Sequence, residues 1–307
     1  MRLLFLCLCL CLCLFLCLVA PGRAETARGC VGQLKTHVAV EGEDLLSISR
    51  RFRLAIDHVA FANGFPVTTL RVRPGTRLII PTWRILPANP PVNGIVVNLP
   101  ERGFYLFQGG KFRNFYPISI GDEAAEGGRF STRTGQFTII EKIKNPTWYP
   151  PSWARDRTPV GPGPKNPLGE RWIGLSLPRT GIHGTNDPLN VGNSLTHGCM
   201  RMYPELLTEV YDAVSVGWPV RIEYETAKVG KTLDGQIVAV TFPDVYRRQD
   251  PVKTLRQTLA RLGVGPPGRR NFDDVAALAL GFPVEVARKE PVEQEVARRL
   301  GWPEEEP

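Results

Sequence analysis

Two neighbouring stretches, Gly181-Ile-His-Gly-Thr-Asn-Asp-Pro188 and Ser194-Leu-Thr-His-Gly-Cys-Met-Arg-Met202, decide how the rest of the chain is read. Together they hold Cys199 and two of the four histidines, His183 and His197. A thiolate is the reactive form of cysteine, and at neutral pH an unaided thiol is mostly protonated, so a nearby imidazole is what makes it fast. Gly184 and Gly198 allow tight turns and close backbone approach beside each histidine. An isolated cysteine is more often a buried structural residue. Here His-Gly and Thr-His-Gly-Cys-x-Arg occur together, which favours a nucleophile.

The chain start limits where such a thiol would work. Residues 3–20 are an unbroken apolar run preceded by Arg2 and followed by Gly22-Arg23-Ala24. This is the pattern of a secretory signal peptide, 1–24, with a small-x-small cleavage site. The run is also about as long as the ~18 residues that make a spanning helix plausible, so a retained anchor is the alternative. Five of the seven cysteines (Cys7, Cys9, Cys11, Cys13, Cys17) lie inside it, leaving Cys30 and Cys199. Two cysteines do not make a disulfide framework, and Cys30 is expected to be free near a flexible N-terminus. Loss of Arg2 and Arg23 takes the net charge from +8 to +6. A basic exported protein suits anionic surfaces such as a cell wall. No basic run interleaved with aromatics points to nucleic acid.

Around the motif, 94–225 reads as one mainly β domain. Short strands are expected at 94–99, 103–107, 115–120, 136–142, 171–177, 181–183 and 220–224, with Gly109-Gly110 as a hairpin turn. Many short strands with Gly and Pro turns mean a sandwich or barrel-like architecture. One helix, 203–214, has Pro204 at its start and Glu205 in its first turn. Leu206, Leu207, Val210, Tyr211 and Val214 form its apolar stripe. The stretch 145–169 is rich in Pro and Gly, and a loop of this length is usually functional or disordered.

The pattern His183-Gly184, a spacer, then Thr196-His197-Gly198-Cys199 with Arg201 two residues on resembles the L,D-transpeptidase (YkuD) family, over roughly 94–225. The resemblance implies an enzyme that cleaves the bond between positions 3 and 4 of a peptidoglycan stem tetrapeptide. It implies Cys199 as nucleophile, His183 as general base and the Gly184 carbonyl as orienter of the imidazole. His197 would support the pocket, and the backbone N–H groups of Gly198 and Cys199 would receive the oxyanion. Arg201, Thr196 and Trp148 are candidate substrate contacts, with a structural salt bridge and core packing the plainer readings for Arg201 and Trp148. The acyl acceptor would be a stem amine, giving a 3–3 crosslink, or a lysine of an outer-membrane lipoprotein. Ser131-Thr-Arg-Thr-Gly135 departs from the more common Thr-Pro-x-Gly. His183, His197 and Cys199 would also give three zinc ligands with an open position. Metal ligands are not usually set in Thr-His-Gly-Cys, so neither metal nor cofactor is expected.

The flanks are read separately. Residues 36–82 follow the order strand, helix, helix, strand, with Asp44 as an N-cap and Asn63-Gly64 ending the second helix. Gly42-Glu-Asp-Leu45, Ser47-Ile48, Asn63-Gly64 and Pro74-Gly75 resemble a LysM domain, although His37 stands where an aromatic is usual. LysM modules bind N-acetylglucosamine-containing glycan, which would place contacts at Gly42, Glu43, Asp44 and Asn63. Residues 83–93 carry three prolines and read as a semi-stiff linker. Residues 226–307 read as a short mixed α/β accessory region. A strand is expected at 235–242 and helices at 250–262, 273–280 and 290–300. The function expected is that of a periplasmic, wall-associated transpeptidase. A hydrolase using the same acyl-enzyme and a non-catalytic wall-binding protein are the alternatives.

Overall fold

The computed structural model describes residues 27–151, 154–265, 281–286 and 292–302. The signal-peptide stretch 1–24 and the helix expected at 273–280 lie outside the described residues.

The chain begins with β1 (Arg28–Val31), then a small module of β2 (Leu34–Val38), α1 (Leu45–Arg51), α2 (Ile56–Ala62) and β3 (Arg77–Pro81). Strands β2 and β3 pair antiparallel from Leu34↔Pro81 to Val38↔Arg77. Asp44 caps α1, accepting from the Ser47 N–H while the Ser47 hydroxyl accepts from the Asp44 N–H. Such a reciprocal box satisfies two otherwise orphan donors at the helix start. Leu45, Ile48, Val59, Leu78 and Ile80 form this module's own core.

Next come β4 (Arg84–Ile85), β5 (Gly94–Asn98), β6 (Gly103–Gln108), β7 (Lys111–Pro117) and β8 (Ile120–Gly121). They are followed by β9 (Gly135–Lys144), β10 (Arg171–Leu175), β11 (Gly181–His183), β12 (Ser194–Thr196) and β13 (Met200–Arg201). Helix α3 (Pro204–Ala213) and β14 (Pro219–Glu223) complete the central domain. Eight strands form one mixed sheet in the order β13-β11-β10-β9-β14-β5-β6-β7. Its face carries Ile95, Val97, Ile139, Ile173, Ile182 and Met200 into a single core covered by α3 through Leu206, Leu207, Val210 and Tyr211. The domain is mainly β, as expected. The β6–β7 hairpin turns at Gly109 and Gly110, both at positive φ (61° and 73°). The third strand therefore starts at Lys111, four residues before the expected 115, because pairing continues from the turn itself.

The remaining elements are β15 (Ala227–Lys231), β16 (Ile237–Thr241), α4 (Pro251–Arg261), β17 (Val284–Glu285) and α5 (Val292–Leu300). They do not form a separate appendage. A five-stranded sheet runs β17-β16-β15-β1-β4, so strands from both ends of the described chain share it. Two expectations change here. Cys30 lies in β1, half-buried and paired with Ile85, rather than in a loose terminus. The stretch 83–93 is a connector only in part. Trp83 and Ile85 are buried in the second core, and Leu86 packs over Val96, Tyr105 and Phe115 on the far face of β5 and β6. The sequence signal was three prolines, but the apolar residues before them have two sheets to cover.

A buried ionic cluster sits where the two sheets meet. Lys228 Nζ donates to Glu101 Oε2 at 2.6 Å, and Arg84 donates to Glu101 Oε1 at 3.1 Å. The Tyr105 hydroxyl donates to the same carboxylate at 2.7 Å. Burial alone would raise the Glu101 pKa, but Lys228 and then Arg84 bring it below its ordinary value.

Candidate active site

The pairing of β11 with β13 builds the site. The strands are parallel with Ile182↔Met200 and His183↔Arg201 in register. Side chains alternate faces along a strand. Ile182 and Met200 are fully buried in the core, so His183 and Arg201 project from the opposite face. The same parity carried back one residue places Cys199 on that face, beside Gly181. Spacing in the two motif halves thus brings the imidazole, the thiol and the guanidinium to one side of one strand pair.

His183 is buried, and its Nδ1 lies 2.7 Å from the Gly184 carbonyl. A carbonyl only accepts, so Nδ1 carries the proton and Nε2 holds the free lone pair. Burial, reinforced by the positive charge of Arg201, pushes the His183 pKa down to about 4. The imidazole is therefore neutral at pH 7. Cys199 is half-buried, with its Sγ 3.4 Å from the Arg179 carbonyl. Burial raises its pKa, while the backbone of Gly181 and the charge of Arg201 pull the other way. The resting state is a neutral thiol beside a neutral imidazole.

Trp172 roofs this arrangement. It pairs with His183 across β10 and β11, and its ring stacks on the imidazole at 5.8 Å. Its position depends on two glycines. A Cβ on Gly181 would stand 2.7 Å from the Trp172 ring, and one on Gly174 would stand 2.9 Å from its Nε1. Trp172 Nε1 donates to Glu141 at 2.8 Å, which fixes the ring over the sheet.

The loop before Cys199 is tied internally. Thr196 is buried, and its hydroxyl donates to the Cys199 carbonyl while accepting from the Gly198 N–H at 3.2 Å. Gly198 sits at φ +108°, a conformation L side chains rarely adopt.

The Pro- and Gly-rich loop 145–169 closes on itself. Trp148 and Val160 exchange backbone hydrogen bonds of 2.8 and 2.9 Å. Asn166 is buried at the loop's base, where its amide donates to the Pro146 carbonyl at 2.7 Å. A Cβ on Gly184 would come within 3.2 Å of the Leu168 carbonyl and 3.3 Å of Gly169 Cα. The loop therefore packs backbone to backbone beside His183.

Residues 93–222 match the YkuD family, the L,D-transpeptidase catalytic domain. A probable L,D-transpeptidase of Escherichia coli, YcfS, is 31% identical over 244 residues, covering 75% of this chain and 74% of the relative. The chain belongs to the L,D-transpeptidase family. A second probable E. coli L,D-transpeptidase, YbiS, is 30% identical over 220 residues, 67% of this chain and 69% of the relative. Among solved structures, an Enterococcus faecium L,D-transpeptidase is 20% identical with a TM-score of 0.36, covering 43% of this chain and 50% of that one. By the family match and the E. coli relatives, the protein is an L,D-transpeptidase, a family with a cysteine nucleophile.

In this transpeptidase several of the candidate site residues also make structural contacts. The Thr196 hydroxyl braces the Cys199 loop through the Cys199 carbonyl and the Gly198 N–H. The Gly198 N–H donates to the Thr196 hydroxyl at 3.2 Å. His197 is exposed and meets Phe130 edge-on at 4.3 Å. Trp148 is half-buried within the ladder of its own loop. Arg201 is half-buried, and its buried Nε has no hydrogen-bond partner among the described residues.

Each of the four glycan candidates also has a place in the local structure. Gly42 is a turn at φ +83°. The Glu43 carboxylate meets His37 at 2.7 Å and Arg51 at 2.6 Å, and Asp44 is the α1 cap. Asn63 donates to the Val59 and Ile79 carbonyls and accepts from the Ile79 N–H, tying α2 to β3. The sequence reading missed Trp172. The available signal was the pair of glycines beside it, Gly174 two residues on in the same strand and Gly181 across from Gly174.

Proposed function

We propose that Cys199 attacks the carbonyl of the third residue of a peptidoglycan stem tetrapeptide. The Sγ–H proton passes to His183 Nε2 as the S–C bond forms. The C–N bond to the fourth residue breaks, and that proton goes to the departing D-alanine amine. A thioester remains on Cys199. An amine from a second stem then attacks it, and the thiol is restored. The Gly184 carbonyl holds the imidazole in the tautomer this needs, the duty of the third member of a catalytic triad.

The observation that carries the reading is the shared face of His183, Cys199 and Arg201 on the β11–β13 pair. A neutral base beside a neutral thiol suits proton transfer during attack. Arg201, charged and with an unused donor, suits a carboxylate of the stem. Residues 1–24 would direct export, placing the enzyme in the periplasm against the wall. The module at 36–82 would hold glycan close to the site.

Intact-mass measurement after incubation with a carbapenem tests the chemistry, because a β-lactam mimics the acyl donor. One adduct is expected on the parent protein and none on Cys199→Ala. A folded parent with a free thiol and no adduct would sink the reading. Tetrapeptide stems with and without a competing amine then separate transfer from hydrolysis.

A further inference from the structure

Tyr246 belongs to the region beyond the matched catalytic domain, which ends at residue 222. Yet it is buried in the catalytic core. Its hydroxyl donates to the Gly121 carbonyl at 2.8 Å and accepts from the Thr132 N–H at 3.1 Å. Thr132 is fully buried. Its own hydroxyl accepts from the Gly121 N–H at 2.8 Å and donates to the Gly198 carbonyl at 3.1 Å. Four hydrogen bonds thus connect Tyr246 to the peptide bond that joins Gly198 to Cys199.

The segment that delivers Tyr246 is itself built for the purpose. Asp244 accepts from the Tyr224 hydroxyl and from the N–H groups of Arg248 and Gln249, at 2.8 and 2.9 Å for the last two. The Tyr246 N–H donates to the Tyr224 hydroxyl at 2.7 Å, and the two rings stack at 5.7 Å. Arg248 covers the Tyr246 ring at 4.8 Å and reaches Glu123 at 3.1 Å. Tyr246 and Arg248 therefore meet the 121–132 segment at two separate points.

We propose that Tyr246 is a positioning residue for Cys199. Acting through Thr132, it holds the Gly198–Cys199 peptide in the plane that aims both the sulfur and the Cys199 N–H. Gly198 needs such support, because its positive φ lies in backbone space that glycine leaves soft. The accessory region thereby completes the catalytic centre rather than merely extending the chain. The proposal rests on Cys199 being the reactive thiol.

The test uses the full chain with Tyr246→Phe and, separately, Thr132→Val. The phenylalanine keeps the ring and its stack and removes only the hydroxyl. Two rates at Cys199 are followed by mass spectrometry, with Cys30 as internal reference. Iodoacetamide alkylation needs only an accessible thiolate, whereas carbapenem acylation needs an aligned one. Acylation at saturating drug is expected to fall roughly ten- to hundredfold, since small misplacements at a reacting atom have effects of that size. The half-saturating concentration should stay unchanged, and the double variant should be no slower than the slower single one. Acylation equal to the parent in Tyr246→Phe overturns the proposal, whatever happens to the melting temperature. A parent that is not acylated overturns the functional reading instead, and alkylation then decides. A several-fold rise at Cys199 with Cys30 unchanged supports positioning; an unchanged rate in both variants overturns it.

Discussion

Gly192 and Asp57 meet across the junction between the N-terminal module and the catalytic domain. A Cβ on Gly192, at φ +101°, would stand 2.5 Å from Asp57 Oδ1 and 2.5 Å from the Ala55 Cβ. Gly192 lies between the two halves of the catalytic motif, so the module touches the active-site segment directly. Arg102–Asp57 at 2.6 Å, Arg50–Glu205 at 2.9 Å and Arg53–Glu209 extend the same junction. The two units are docked, not loosely tethered. Gly192→Ala should cost about 1–3 kcal/mol, from backbone strain and overpacking, and should slow carbapenem acylation. Denaturant midpoint and acylation rate check this. Parent values for both would mean the contact is not maintained in solution.

His183 gives the protein an acid-sensitive stability. Its folded-state pKa is depressed to about 4 by burial and by Arg201. Below the ordinary histidine value of ~6.5 the unfolded chain takes up a proton that the folded chain refuses. Stability therefore declines as pH falls from about 6.5 to about 4, by an amount on the order of 3 kcal/mol from this group. His183→Gln should flatten that part of a stability-against-pH curve measured in urea. An equally steep curve in the variant would assign the effect elsewhere.

Arg201 should set where activity switches on. Its charge adds to burial in lowering the His183 pKa and opposes the burial that raises the Cys199 pKa. Arg201→Gln should move the acid limb of the acylation profile to higher pH, because the imidazole protonates more readily. It should also leave the thiol harder to ionise. Rate against pH, from 4 to 9, reads both limbs. An acid limb that does not move would separate Arg201 from the base.

Lys228 and Glu101 are both buried, with side chains 0% and 2% exposed. Lys228→Met would leave the Glu101 carboxylate with Arg84 and Tyr105 but without its nearest cation. Breaking a buried pair this way typically costs about 3–5 kcal/mol. Adding Glu101→Gln should restore part of the loss. Thermal melts of the single and double variants decide, and a neutral single variant would show that water reaches the cluster.

Much of the catalytic half was legible before any coordinates. The His-Gly and Thr-His-Gly-Cys motifs named the residues that gather at the site, because glycines beside each histidine signal tight backbone approach. The α3 stripe from Leu206 to Tyr211 was plain from helical spacing. What stayed hidden were relations between distant segments. Nothing near Tyr246 says that its hydroxyl ends beside Thr132, more than a hundred residues earlier. Strand β4 has two residues, too few for a period of two to register. The bonds of the Thr196 hydroxyl to the Cys199 and Gly198 backbone were not legible either, because motif position reveals which residues gather, not which way a hydroxyl turns.

The sheet order β15-β1-β4 has a kinetic meaning. β4 can pair with one edge of β1 early, through Cys30 and Ile85, but Arg28 pairs with Gly230 on the other edge, so that edge waits for a partner some two hundred residues downstream. Contacts of such long sequence separation form late, after the loops they close have been ordered. The Tyr246 brace lies further downstream still. A chain emerging from its start would assemble the module and much of the eight-stranded sheet while its cysteine loop was still unbraced. The nucleophile would be aimed only once nearly the whole chain had arrived, which would couple the onset of reactivity to the completion of folding.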